Sequence, residues 1–250
     1  LAPATGWPAP DGRQWVRSIV HLHSTHSHDA CDDNPRPDGA YNLPCLASLR
    51  AALCATRIDY AYLTDHPTHM VEVPFEDLLL HDPSTDTLER DAEGRAYANH
   101  MRCADGFVVT LRAGAEDALM PLGMHGHVDG DVAERDRVMN EYTPEAAAAM
   151  RALGAHVWVA HTELRSADDL RRIGVDGIEV YQLHANIDPR LRENALGLEP
   201  FAPVAALAPF LRGTATTPPD LAVLAFLEPN QPSLRMWATL LADGPVVGTA

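Results

Sequence analysis

The sequence has no lysine: all 19 of its lysine-plus-arginine positions are arginine. A carboxylated lysine, one way of bridging two metal ions, is therefore excluded. Positive charge is scarce altogether. Against 35 acidic residues it leaves a net charge of −16 with histidine neutral. Phosphate backbones are bound by clustered Lys and Arg, so nucleic acid is not expected as a partner. A small phosphorylated substrate stays open, because a bound cation inverts the local field. No apolar run reaches about 18 residues, which argues against a membrane-spanning helix.

Cysteine is limited to Cys31, Cys45, Cys54 and Cys103, with no CxxC pair, so a zinc ribbon is a poor reading. Two disulfides or four buried thiols both fit. Disulfides are favoured because Cys31 and Cys45 flank a Pro- and Asp-rich loop that gains from a clip. The chain opens Leu1-Ala2-Pro3-Ala4-Thr5-Gly6, which reads as the start of a mature or trimmed chain with no visible signal peptide. A periplasmic or secreted location is the expectation. The length of 250 residues and a hydrophobic fraction of 46% suffice for a core without staples. Nothing in the sequence fixes the oligomeric state.

Histidine is what the sequence does have. Four of the 13 fall in His21-Leu22-His23-Ser24-Thr25-His26-Ser27-His28-Asp29. The preceding Trp15 to Val20 reads as a strand, within a first strand over 15–23. Alternate side chains of a strand share a face, so His21 and His23 project together. Two neutral imidazoles on one face, with more donors just beyond, suit a metal ion.

The rest of the chain alternates strands and helices. Residues 1–14 form a Pro/Gly-rich lead-in, and 15–250 are expected to form one domain. Leu46 to Thr56 is a helix by its apolar spacing. Tyr60 to Thr64 is a second strand, ending in Asp65-His66. Residues 67–105 lack clear periodicity and read as a long loop with short helices. Gly106 to Leu111 is a third strand, running towards Glu116. Thr143-Pro144 opens a helix that Gly154 ends. His156 to His161 is a strand. Ser166 caps a short helix closed by Gly174, before a strand at Gly177 to Tyr181. Residues 196–232 are hydrophobic pieces broken by Pro203, Pro209, Pro218 and Pro219. Ser233 to Ala242 is a helix, and a last strand starts over 244–248. The alternation implies an α/β fold with parallel strands, and donor residues at several strand ends suit a barrel.

His21, His23, His28, His66, Glu116, His127 and His161 fall on or just beyond strand ends. Nitrogen and carboxylate donors together suit Zn²⁺, Mn²⁺ or Fe²⁺. In five places the sequence resembles the polymerase and histidinol phosphatase (PHP) superfamily of metal-dependent phosphoesterases. Its HxH motif matches His21 and His23, followed by Ser27 and His28. Its Thr-Asp-His matches Thr64-Asp65-His66. Its Glu with a later His matches Glu116 and His127, with His125 as competitor. Its Ala-His-Pro-Glu matches Ala160-His161-Thr162-Glu163, with Thr for Pro. Its Ile-Glu-Val-Tyr matches Ile178-Glu179-Val180-Tyr181.

The resemblance implies a distorted (β/α)7 TIM-like barrel and up to three divalent ions. His21, His23 and Glu116 would hold one, Glu116, His127 and His161 a second, and His28 with His66 the third. Asp65 would orient a ligand, and Arg165 and His125 would meet an anionic substrate. The family closes its site with Gly-x-Asp-x-His, which the ending Val247-Gly248-Thr249-Ala250 approaches, so the missing Asp and His are expected just beyond. The implied activity is hydrolysis of phosphoesters by metal-activated water. Alternatives are a non-catalytic metal-binding domain of the same type and an amidohydrolase-like hydrolase, the latter without its carboxylated lysine.

Overall fold

The computed structural model describes residues 4–211, 219–244 and 248–249. Contacts divide the chain into two compact units, Leu1–Trp158 and Val159–Ala250. No described helix is long and apolar enough to cross a membrane.

The first unit is built on an open five-stranded sheet. Its strands are β1 (Ser18–Leu22), β2 (Tyr60–Leu63), β3 (Thr87–Arg90), β4 (Ala96–Arg102) and β5 (Val108–Ala113), in the order β1-β2-β5-β4-β3. The strands β1, β2 and β5 run parallel, with Leu22 opposite Leu63 and Leu63 opposite Ala113. Their carboxyl ends therefore lie side by side. The antiparallel hairpin β3–β4 is added through β4 to β5.

The Leu43–Thr56 helix packs on this sheet. It starts where the Asn42 side chain accepts the Cys45 N–H, and Arg57 ends it in the left-handed region. Leu53 is buried with Ile58, Ala61, Leu63, Met101, Val109 and Leu111, and Leu46 and Leu49 pack against them. Apolar burial of this kind contributes about 25 cal/mol per Å² removed from water. Disulfides Cys31–Cys45 and Cys54–Cys103 fasten the two ends of the helix.

Further along the unit, β6 (Met120–Leu122) pairs antiparallel with β7 (His156–Val159), placing Met120 opposite Trp158. In the second unit β8 (Gly177–Ile178) pairs parallel with β9 (Gly248–Thr249). Helices occupy Ala167–Ile173, Ala202–Leu211 and Gln231–Asp243 there. Of the final strand expected over 244–248, residues 245–247 lie outside the described residues, as does Pro218.

The expected (β/α)7 barrel is corrected by this topology. The nine described strands form sheets of five and four, and neither closes on itself. A barrel abolishes strand edges, whereas β1 and β3 are edges here. The cause lies in 67–105, which was expected to be loop. Asp91 Oδ1 accepts the N–H groups of Glu93 and Arg95, Gly94 takes φ 82°, and the chain reverses into a hairpin. That hairpin takes the edge of β5 that a further parallel strand would have needed.

Candidate metal centre

Three parallel strand ends build the centre. His21 is on β1 and His23 just past it, Asp65-His66 follows β2, and Glu116 follows β5. The first two ends are clasped together: Leu22 N–H donates to Thr64 Oγ1 at 3.0 Å, and Thr64 N–H returns to Leu22 O at 2.8 Å. The third is brought in by Gly114, whose N–H donates to Leu63 O at 2.8 Å. A Cβ on Gly114 would lie 2.6 Å from Pro121 O, so only glycine allows this approach.

The side chains meet beyond this seam. The rings of His21 and His23 are 5.2 Å apart by centroid, and those of His23 and His66 are 4.8 Å apart. His23 Nδ1 donates to Asp29, at 2.9 Å from Oδ1 and 3.0 Å from Oδ2. His66 Nδ1 donates to the Glu116 carbonyl at 2.7 Å and also lies 3.1 Å from Glu116 Oε2. His66 Nε2 is 3.5 Å from Asp29 Oδ2. His28 is exposed, with its ring 4.8 Å from that of His66.

His23 provides the test of fit. With Nδ1 committed to Asp29, its Nε2 is buried without a hydrogen-bond partner, 4.0 Å from Glu116 Oε2. Two ligands on one ion at about 2.0–2.2 Å each can be at most about 4.4 Å apart. One nitrogen or carboxylate atom each from His21, His23 and Glu116 lies within 4.8 Å of the others, and the same holds for His23, Asp29 and His66. In the first set the ring nitrogen that His23 has left over lies 4.0 Å from Glu116 Oε2, within the span of two ligands on one ion, so the residues fit a divalent ion there. In this reading Asp29 fixes the imidazole of His23 from behind.

Electrostatics agree with ligation. Burial pushes the His23 imidazole down to about 4, so it is neutral at pH 7 with a lone pair to give. Burial works to raise Asp29, yet the Ser27 hydrogen bond and the nearby His23 and His66 outweigh it and hold the carboxylate low. Ser27 Oγ donates to Asp29 Oδ1 at 2.6 Å and accepts the His66 N–H at 3.2 Å. Asp65 is fully buried, which pushes it up to about 6. Its oxygens accept the N–H and, at 2.8 Å, the hydroxyl of Ser24, tying the loop after β1 to the end of β2.

His127 and His125, expected site residues in the first unit, are held by other partners. His127 Nε2 donates to Val73 O at 2.7 Å, and its ring meets Phe75 edge-on. His125 stacks on Tyr97 and accepts from Arg112 Nη2 at 2.7 Å. Neither belongs to a metal-competent group among the described residues. In the second unit His161 has φ 51°, with Nδ1 on Glu163 Oε1 at 3.2 Å and Nε2 accepting from Gln182 at 2.9 Å. Arg165 ends the short turn after His161, its N–H on Thr162 O. Thr162, where the family pattern has Pro, donates its hydroxyl to Glu179 O at 2.6 Å and lies 2.8 Å from Ser233 Oγ, whose own hydroxyl can donate to it.

In the sequence Ser24 had no role, and Asp29 stood only as the carboxylate of the histidine-rich stretch. Its place six residues past His23 was the signal available for its orienting role. No protein-family model, no curated protein and no solved structure matches the chain.

Proposed function

We propose that the chain is a divalent-metal hydrolase of phosphoesters, with His21, His23 and Glu116 as its primary metal ligands. His66 and Asp29 border the same centre. One observation carries the metal part: a buried His23 Nε2 with no hydrogen-bond partner faces a buried carboxylate. The phosphoester part rests on the likeness of His21-x-His23, Thr64-Asp65-His66 and Glu116 to phosphoesterase motifs. A bound ion would supply Lewis-acid charge to a phosphoryl oxygen and acidify water near neutral pH.

The chain's own residues do the rest. Asp29 holds the Nδ1 proton of His23, and Glu116 offers negative charge in a buried setting. Asp65 keeps the β1 loop in register with His66. The two disulfides favour an oxidising compartment such as periplasm or the exterior. Metal analysis paired with hydrolysis of p-nitrophenyl phosphate and its diester, with Mn²⁺ or Zn²⁺ added, tests the reading. It requires metal-dependent turnover that His23→Ala abolishes. Metal binding without turnover of either ester supports the second reading, a non-catalytic metal-binding domain. That reading is favoured by the hydrogen bond of His127 to Val73 O, which occupies one nitrogen of an expected ligand.

A further inference from the structure

Asp29 is exposed, yet it is fixed on three sides. Its carboxylate receives Ser27 Oγ and His23 Nδ1 and lies 3.5 Å from His66 Nε2. Just beyond it, Cys31, Asp32 and Asp33 stand in the left-handed region at φ 57°, 56° and 59°. Each such non-glycine residue costs free energy and persists only where its surroundings hold it. The local ties are modest: Asn34 N–H to Cys31 O at 3.2 Å, and Asn42 Nδ2 to Asn34 O at 2.9 Å.

The strong tie is covalent. Cys31 is bonded to Cys45, 14 residues on, in the first turn of the Leu43–Thr56 helix. That helix is anchored in the core by Leu46, Leu49 and Leu53. Cys31 and Cys45 are both half-buried, while Cys103 of the other disulfide is buried. Cys54 of the other disulfide is half-buried as well, so a reductant can reach both bonds, and Cys31–Cys45 is the one beside the centre.

We propose that the Cys31–Cys45 disulfide is a redox gate on metal binding. Oxidised, it presses Asp29 onto His23 and His66. Reduced, it lets residues 29–33 leave their left-handed path, and His23 loses the partner that aims its Nε2 at Glu116. In the reducing direction a dithiol is the co-reactant: its two S–H bonds break and its own S–S bond forms. Its two electrons and two protons turn Cys31 and Cys45 into thiols. The gate rests on the metal reading above.

The test is a Mn²⁺ titration of the full chain, read by calorimetry. Mn²⁺ prefers oxygen and nitrogen donors, so freed thiols do not mask the result. Oxidised wild type is compared with the Cys31→Ser/Cys45→Ser double variant and with wild type reduced by a phosphine, the reduced pair being mapped by alkylation. The expected result is an affinity about 10- to 100-fold weaker in both, with far-UV circular dichroism unchanged. Asp29→Asn should weaken oxidised wild type by a similar factor and add nothing to the double variant. Equal affinity in both redox states, or helicity lost along with affinity, overturns the gate while leaving the metal reading intact. No Mn²⁺ binding by oxidised wild type overturns both.

Discussion

His23 Nδ1 and Asp29 Oδ1 are 2.9 Å apart, and that contact decides which nitrogen of His23 faces Glu116. A neutral imidazole has one N–H and one lone pair, and the carboxylate claims the N–H. The lone pair is left on Nε2, in a buried place where nothing among the described residues satisfies it. The metal reading grows from this pair.

Asp29→Asn tests the pair directly. An amide can still meet Nδ1, but it gives up the negative charge and can present either tautomer's partner. Metal affinity is expected to fall by about 10- to 100-fold, with thermal stability of the metal-free chain little changed. Titration of variant and wild type under the same buffer checks this.

The Arg50–Asp86 pair should carry stability and no metal affinity. Arg50 donates through both terminal nitrogens at 2.8 Å to a fully buried carboxylate, which also receives Asn99 and Thr85. Removing one partner strands a buried charge, at about 3–5 kcal/mol. Arg50→Ala should lower the urea midpoint accordingly and leave Mn²⁺ binding per folded molecule unchanged. Burial would raise Asp86, but the hydrogen bonds from Arg50, Asn99 and Thr85 hold it well below the usual carboxylate range. Its contribution is present above the unfolded value, about 3.9, and is lost as pH falls through the lower folded value. The acid limb of wild-type stability should flatten in Asp86→Asn.

A second pH effect comes from His26 and His23. Burial pushes both rings down to about 4, and His26 Nε2 also donates to Asp77 O. Between about 6.5 and 4 the unfolded chain binds protons that these rings refuse, so stability rises with pH across that window. Each ring contributes at most about 1.4 kcal/mol per pH unit. Urea midpoints of the metal-free chain at pH 7, 6 and 5 should decrease in that order. His26→Gln should show a shallower decrease than wild type.

Gly114→Ala should damage fold and centre together. The new methyl meets Pro121 O at 2.6 Å, which is backbone and cannot step aside. Overpacking of this kind costs about 1–3 kcal/mol. The displaced segment leads directly to Glu116, so calorimetry should show a lower melting temperature and weaker metal binding in one variant.

Local chemistry made much of this structure legible in the sequence. Thr143 and Ser166 cap their helices through the backbone N–H three residues on, and Gly174 takes the left-handed C-cap. Those signals act within a few residues. His21 and His23 do lie side by side, although the strand is Ser18–Leu22 rather than 15–23 and His23 falls just past it. Residues 67–105 were harder. Thr87, Glu89 and Arg90 on β3 and Asn99 and His100 on β4 hide the alternation of the strands, and the Asp91–Gly94 turn was the signal available there.

What strand ends could not reveal was closure. Whether β5 meets another parallel strand or the hairpin is set by partners distant in sequence, so the barrel expectation failed. His127 shows the same limit within the site. Its place in the motif order suited a ligand, but its partner, Val73 O, is 54 positions away. Asp29 was legible as the carboxylate of the histidine-rich stretch, but its role as the group that orients His23 depends on a fold-back of the loop that spacing alone does not give.

The most direct measurement is a Co²⁺ titration of oxidised wild type, His23→Ala and His127→Ala, followed by visible absorption. The account predicts saturable binding in wild type, its loss in His23→Ala and its retention in His127→Ala. Binding that survives in His23→Ala and disappears in His127→Ala would contradict it.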